Sequence, residues 1–390
     1  MVKEHEQELP KAVPGAAEAA DQRTAENLKQ EEKVSLASQW KLMWWKFRRH
    51  KLALISAFVI LGFYLIAIFA DFLSSANPRQ SQASIAYMPP QTIRWFDNGF
   101  NPHVISVTGR RDPETFARVF TYDESKKLPV RPFARGYEYK LLGLIKTDRH
   151  LIGVVGDPDR TSPYLLGTDL FGRDQLSRIV HGTRVSLTIG LAGVAASLVL
   201  GVVLGSISGY YGGIPDTIIQ RLIEVTRSVP TIPLWIALAA AVPRDWSVHR
   251  IYLAITIIIS LFLWTELGRV VRGRFLSLRE EDYITAARLS GSKDRRIIFK
   301  HMVPNFTSHL IAATTLAIPF MIISETALSF LGLGLRPPAL SWGVLLQEAQ
   351  NIQTVALYPW LTFPAIPVTL AVLAFNFVGD GLRDAADPYK

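Results

Sequence analysis

The sequence predicts an all-α membrane protein, with six spanning helices and a small lobe between the first two. Three observations lead there. Apolar residues form 49% of the 390-residue chain and charged residues only 19%, below the roughly 25% usual in soluble domains. Apolar runs approaching the ~20 residues that cross a bilayer recur along the chain. The formal net charge of +9 gathers beside those runs, where it serves to orient a chain in a membrane. No DNA- or RNA-binding module pattern accompanies it, so nucleic acid is not an expected partner.

Residues 1–38 are polar and rich in Glu, Lys, Gln and Ala, and read as a disordered cytoplasmic tail. Within 39–51, Trp40, Trp44 and Trp45 interleave with Lys41, Lys46, Arg48, Arg49 and Lys51. Amphipathic rings favour the headgroup layer and cations its aqueous side, so this segment is an interfacial elbow helix. The first span, 52–70, carries no internal charge until it ends. It lacks the short apolar core and small-residue cleavage site of a signal peptide and reads as an anchor. Residues 71–165 are expected to form an extracytoplasmic lobe. Scattered aromatics and prolines over 77–150, without helical periodicity, predict partial β-structure there.

Five further spans fall within 166–390, near 186–208, 229–242, 251–268, 308–330 and 357–378. The one at 229–242 is expected to be tilted or broken, because Pro230 and Pro233 interrupt it and Arg221, Glu224 and Arg227 precede it. In the span before it, Gly193, Ser197, Gly201, Gly205 and Gly209 recur every four residues, a spacing that lets helix backbones approach closely. We read this stripe as helix packing, with gating as the functional alternative.

The loop over 269–304 holds nine Lys or Arg residues against four acids, which places it in the cytoplasm by the positive-inside bias. Six spans then put both termini on the cytoplasmic side. The basic lobe does not contradict this, since long segments cross largely regardless of charge. Part of the loop reads "EEDYITAARLSGSKDRRIIFKHMVPN" at 280–305. Acids at 280–282 complement the start of a helix over 279–290, with Tyr283, Ile284, Ala287 and Leu289 as its apolar contacts. Gly291 is suited to a left-handed cap, Ser292 to capping a second helix, and Pro304 to stopping that helix. A stiff two-helix projection suits docking into a groove on another protein. An amphipathic connector lying on the membrane surface fits the spacing equally well.

Here the residues carry a resemblance. "TAA", three residues, Gly291 and then Pro304 is similar to the EAA loop of bacterial ABC importer permeases, E-A-A-x3-G-x9-I-x-L-P. Ala286, Ala287, Gly291 and Pro304 match in register, while Thr285, His301 and Val303 depart from the pattern. Four further stretches resemble the C-type subunit of the dipeptide and oligopeptide branch. They are "LLGTDLFGRDQLSRIVHGTRVSL", "GYYGGIPDTIIQRLIEV", "ETALSFLGLGLRPPALSWG" and "FNFVGDGLRDAADPYK". The resemblance implies the ABC importer permease fold, a multi-pass place in the bacterial inner membrane, and a coupling loop at 279–304 that enters a cleft of an ATPase. Tyr283, Thr285, Ala286, Ala287, Gly291, Arg295, Arg296 and Pro304 are its candidate contacts, with exposed cations near anionic lipid the alternative for the two arginines. It further implies a second homologous permease subunit, two ATPase subunits carrying ATP and Mg, an extracytoplasmic substrate-binding protein and membrane lipid as partners. This chain itself would bind no cofactor. Peptides are the substrate it suggests, with oligosaccharides or opines as alternatives within the same machinery.

Two other polar groupings stand out. Asp169, Arg173 and Asp174 lie just before the second span, where Gly167 and Gly172 allow tight turns. We read them as a structural clasp on the outer side, with a metal or substrate site or a contact to the binding protein as alternatives. Glu325 is the central intramembrane acid, expected to pair with a basic group on another helix or to line the path. No G-x4-G-K-[ST], H-E-x-x-H or G-x-S-x-G motif occurs, no histidines fall at metal-ligand spacing, and there is no cysteine. A membrane-embedded enzyme therefore has no catalytic set here. An ion-coupled secondary transporter would show inverted repeats, and none is visible.

Overall fold

The computed structural model describes residues 39–97, 99–114, 118–156, 162–243 and 245–386. The tail at 1–38 lies outside them. Helix α1, Gln39–Arg49, buries Met43 and Phe47 against Ala53 and Ala385 and leaves Trp40 and Trp44 exposed. Half apolar and half cationic, it has the character of an interfacial helix. His50 then caps α2, Lys51–Ile68, by accepting the Ala53 amide at 3.0 Å. One side of α2 exposes Leu52, Ile55, Phe58, Leu61, Leu65 and Ile68, a face that matches lipid.

The lobe is β-structured, as expected. Strands β1 (Arg94–Phe96), β2 (Phe100–Arg111), β3 (Arg118–Pro132) and β6 (Ile152–Val154) form an antiparallel sheet in the order β1-β2-β3-β6. A separate hairpin pairs β4 (Arg135–Leu141) with β5 (Ile145–Arg149). The lobe sheet has two small cores. One is Val104, Leu128, Val130 and Val154, and the other joins Val107 to Ile85, Met88 and Tyr164.

Helix α3, Gln175–Tyr211, runs 37 residues, about 55 Å at 1.5 Å per residue. It begins eleven residues before the predicted span, because a membrane helix is not confined to its apolar stretch. Asp174 caps it by accepting the Ser177 amide at 2.9 Å. The next span is broken, as the prolines require. Helix α4, Gly213–Ser228, and helix α5, Thr231–Ala240, meet at 87°. Helix α6, Val248–Leu278, follows and packs parallel to α3: Ser260 lies beside Gly193, Leu267 beside Gly201 and Phe275 beside Gly209.

That parallel packing settles the number of crossings. Five helices among the described residues are long and apolar enough to span. Since α3 and α6 point the same way, the bent pair α4–α5 must carry the chain back across, which makes six. Helix α8, Thr307–Phe330, returns antiparallel to α3, with Gly190 against Ile322 and Gly193 against Met321. After the short helices α9, Trp342–Gln347, and α10, Ile352–Leu357, the last span α11 covers Ala365–Ala386. The central core joins Phe63, Leu187, Trp235, Ile259, Met321 and Trp342. Lobe and α9 sit at one end of the bundle. Helix α1, the end of α11 and the segment between α6 and α8 sit at the other.

Candidate functional site

The segment between α6 and α8 folds into a compact hairpin. Its first arm is α7, Asp282–Leu289, shorter than the predicted 279–290. Gly291, at φ +75°, ends it with paired bonds: its own amide donates to Arg288 O at 2.9 Å and the Ser292 amide to Ala287 O at 3.1 Å. The second arm starts at Asp294 with Lys293 at the cap position, and Ser292 makes no cap bond. Contrary to expectation, Pro304 does not stop this arm. A π-helical turn over Ile297–Met302 and a 3₁₀ turn over Val303–Phe306 lead into α8, so the ladder changes register around the proline and the helix continues.

The hairpin has a buried root and a bare tip. Ile284, Ile297, Ile298, Met302 and Phe306 pack on Tyr210, Val271 and Phe275. The Tyr210 hydroxyl donates to Asp294 Oδ1 at 2.8 Å, the Arg288 guanidinium lies 5.0 Å over the Tyr210 ring, and Asn305 Nδ2 donates to the Tyr283 hydroxyl at 3.1 Å. Thr285, Ala286, Gly291, Arg295, Arg296 and Pro304 are exposed and Ala287 is half-buried. Leu289, expected to pack inward, is 85% exposed, and Tyr283 is exposed as well. An apolar side chain left this bare on a rooted knob is available to a partner surface.

At the other end of α3, the predicted clasp is a buried ion cluster. Asp169 is fully buried. Its Oδ1 accepts the Phe171 amide at 2.8 Å and the Arg173 amide at 2.9 Å. Its Oδ2 accepts Arg173 Nε at 2.6 Å and also pairs with Arg178 Nη1. The two arginines reach a third member, Glu348, at 3.3 Å and 3.0 Å. Asp174 takes no part in this pairing and serves as the helix cap. Burial pushes the Glu348 carboxyl up despite the opposing Arg178 charge, and burial likewise pushes Asp174 up. Sequence reasoning missed Glu348 and the full burial of Arg178, because the partner lies 170 residues away in a region with no marked polar motif. Beside the cluster, Asp71 accepts from His181 at 3.1 Å and Arg184 at 2.9 Å. Those bonds hold its carboxyl at about 2, and no motif had singled it out.

The glycine stripe lies in the seam between α3, α6 and α8. A Cβ on Gly205 would sit 2.7 Å from the Gly268 carbonyl, and one on Gly209 would sit 2.8 Å from that of Arg272. Ser197 donates to Ser260 O at 3.2 Å. Glu325 is fully buried but has no basic partner among the described residues, unlike the expected pairing. Its Oε1 accepts from Ser329 at 2.7 Å and Ser341 at 2.8 Å, which ties α8 to the loop before α9, and its Oε2 has no partner. It is also not the only acid within a span, for Glu266 sits in α6. Glu266 pairs with Arg227 at the edge of a cavity of about 690 Å³ between α3, α5, α6 and α8. Val194, Ser197, Trp235, Phe262, Thr314 and Phe320 help line it, a mostly apolar surface with scattered hydroxyls.

Comparison with known proteins identifies this architecture. A family model described as binding-protein-dependent transport system inner membrane component matches residues 201–389, and one described as N-terminal TM domain of oligopeptide transport permease C matches 38–90. A dipeptide transport system permease protein of Alkalihalophilus pseudofirmus is 32% identical over 360 residues, 92% of each chain. The chain belongs to the family of binding-protein-dependent transport permeases.

This permease is also similar to a dipeptide transport system permease protein of Lactococcus lactis, 34% identical over 347 residues, 88% of this chain and 89% of the relative. An oligopeptide transport system permease protein of Haemophilus influenzae is 40% identical over 232 residues, 59% of this chain and 72% of the relative. The match to the Alkalihalophilus relative leaves only about thirty residues of the permease outside it, so it necessarily runs through most of the lobe. The hairpin falls wholly within the stretch matched by the transport-component model. That model describes a transport component, not a catalytic subunit.

Proposed function

We propose that this permease is the membrane-spanning subunit of an ATP-driven importer of peptides. In this reading it stands in the bacterial inner membrane with both termini and the hairpin in the cytoplasm and the lobe outside. A second, homologous permease supplies the other side of the passage, two ATPase subunits bind ATP and Mg, and a soluble or lipid-tethered receptor delivers the cargo. The bare, rooted hairpin carries the reading. Its exposed Thr285, Ala286, Leu289 and Gly291 offer a small-residue knob for an ATPase cleft, while its root packs on the ends of α3 and α6. Closure of the ATPases would press the knob and tilt those helices, and hydrolysis would release it.

Peptide cargo is supported by the relatives, which are dipeptide and oligopeptide transport permeases. The cavity suits such cargo: apolar walls take side chains, hydroxyls take backbone groups, and the Arg227–Glu266 pair at its edge offers both charges a zwitterion needs. In vesicles containing the whole complex, uptake of a labelled dipeptide is expected to require ATP and to ignore proton and sodium gradients. Uptake that collapses with a gradient but not with ATP removal would refute the reading. For the cargo itself, thermal shift of the cognate receptor decides. Upshift with peptides is expected, and upshift with oligosaccharides or opines alone would replace peptides as the substrate.

A further inference from the structure

The lobe carries a feature that transport does not explain. Hairpin β4–β5 is rooted where α2 leaves the membrane. The Leu151 amide donates to Phe72 O at 2.8 Å, and the Asp71 carbonyl meets His150 Nδ1 at 3.0 Å and the Tyr137 hydroxyl at 3.4 Å. Seven residues of β4 extend about 20 Å at 3.3 Å per residue, so the tip cannot lie farther than that from the membrane boundary.

At the tip the sequence is "KLLGLIK", residues 140–146. Leu142 is 59%, Leu144 84% and Ile145 64% exposed, on a turn with solvent on every side. Leu142 and Gly143 have φ of 52° and 75°, and the Leu144 amide closes the turn on Leu141 O at 3.0 Å. The loop is the three residues Leu142–Leu144 between the paired Leu141 and Ile145, and it holds positive φ at two successive positions, where Asn, Asp and Gly are preferred. A leucine accepts the strain here without burying anything within the chain.

Below the tip, Lys140 and Lys146 are directly opposed across the strands, a repulsive placement, and neither has an ion-pair partner among the described residues. The hairpin's other opposed cations are treated differently. Arg135 and Arg149 share Asp148 at 3.6 Å and 3.9 Å. The uncompensated pair is therefore confined to the rim of the apolar tip.

We infer that this hairpin is a lipid-surface finger: its Leu-Leu-Gly-Leu-Ile tip enters the leaflet beside the end of α2, and Lys140 and Lys146 bind anionic headgroup phosphates. Apolar residues below a collar of cations is the arrangement an anionic bilayer surface satisfies, layer by layer. The aromatic patch of Trp95, Phe96 and Phe100 elsewhere on the lobe lacks that order, since its rings pack on one another, Trp95 stacked on Phe100 and Phe96 edge-on to it.

Because the chain has no cysteine, a single probe site is clean. Full-length Leu144→Cys, carrying an environment-sensitive dye, is reconstituted in vesicles of phosphatidylethanolamine and phosphatidylglycerol with brominated acyl chains. Leu142→Cys serves as a second tip site and Glu124→Cys, exposed on β3, as the control. The tip sites are expected to be quenched at least about twofold more than the control, with blue-shifted emission. Combining Lys140→Glu with Lys146→Glu should lower tip quenching in these vesicles, with little change in vesicles of phosphatidylcholine alone. Tip quenching equal to the control overturns the inference. So does shielding that appears only when the importer's receptor is added, which would make the finger a protein contact. Quenching that survives the double charge reversal overturns the headgroup contact.

Discussion

Both ends of α3 carry dense charge, and they are built in opposite ways. At the lobe end, Asp169, Arg173, Arg178 and Glu348 come from two distant segments and close on each other, out of water. At the hairpin end, Arg288, Lys293, Arg295, Arg296 and Lys300 come from one contiguous stretch and most stand in solvent around a buried apolar root. One cluster turns most of its hydrogen-bonding capacity inward, with Arg178 Nε and Glu348 Oε2 left over, and the other leaves its capacity to solvent. Density of charge in the sequence does not distinguish the two. Satisfaction does: a closed cluster holds its own fold, and an open one presents a surface.

The sharpest way to break this contrast is at Arg178. Arg178→Ala leaves Arg173 as the one cation between the two carboxylates of Asp169 and Glu348, and the uncompensated buried charge should cost about 3–5 kcal/mol and leave little folded protein in detergent, as read by size-exclusion chromatography on heating. Pairing Arg178→Met with Asp169→Asn should recover part of that loss, because removing both charges is milder than orphaning one. Retention of full stability by the single variant would mean that the cluster is not closed.

The hairpin should respond in the other sense. Gly291→Trp is expected to cut ATP-dependent uptake at least about tenfold while membrane insertion persists, since a Cβ at Gly291 would meet nothing within 4 Å inside the chain. Asn tolerates the left-handed conformation, so Gly291→Asn should retain most uptake and separate bulk at the knob from backbone strain. Normal transport by the Trp variant would count against docking. A smaller effect is expected from Tyr210→Phe, which removes the bond to Asp294. A loss of about 0.5–1.5 kcal/mol should appear as faster hydrogen exchange in the second arm of the hairpin, which begins at Asp294, with the lobe unchanged.

The least effect is expected from pH at Asp71. Its folded pKa, about 2, lies below the ordinary 3.8, so its contribution is full above about 3.8 and disappears as pH falls through about 2. The stability gap between wild type and Asp71→Asn should stay flat above pH 4 and close below it. A gap that keeps its full size as pH falls to about 2 would mean that the Asp71 carboxylate is not held by His181 and Arg184.

How much of this was legible depended on sequence distance. Gly291 announced its cap because the whole motif lies within the six residues from Ala287 to Ser292, and Pro230 announced the break between α4 and α5. Aromatics and prolines scattered without helical periodicity made β-structure in the lobe readable as well. Glu348 was invisible, because nothing local in "LLQEAQN" tells that two arginines from the start of α3 arrive there. Glu325 was misjudged for a related reason: an acid in an apolar run suggests a cation, while Ser329 and Ser341 are unremarkable until the chain folds back. Pro304 was misread by applying a local rule where a π turn upstream relieves it.

Finally, α3 itself is a long, stiff element secured at one extremity and hydrogen-bonded to the hairpin at the other. With Arg178 and Asp174 as the fulcrum, a tilt of about one degree over its ~55 Å length displaces Tyr210 by about 1 Å. Gly201, Gly205 and Gly209 keep the α6 backbone close enough that the two rods must swing together. The helix thus has the proportions of a lever, and a swing about that fulcrum would pass through the wall of the cavity at Val194 and Ser197.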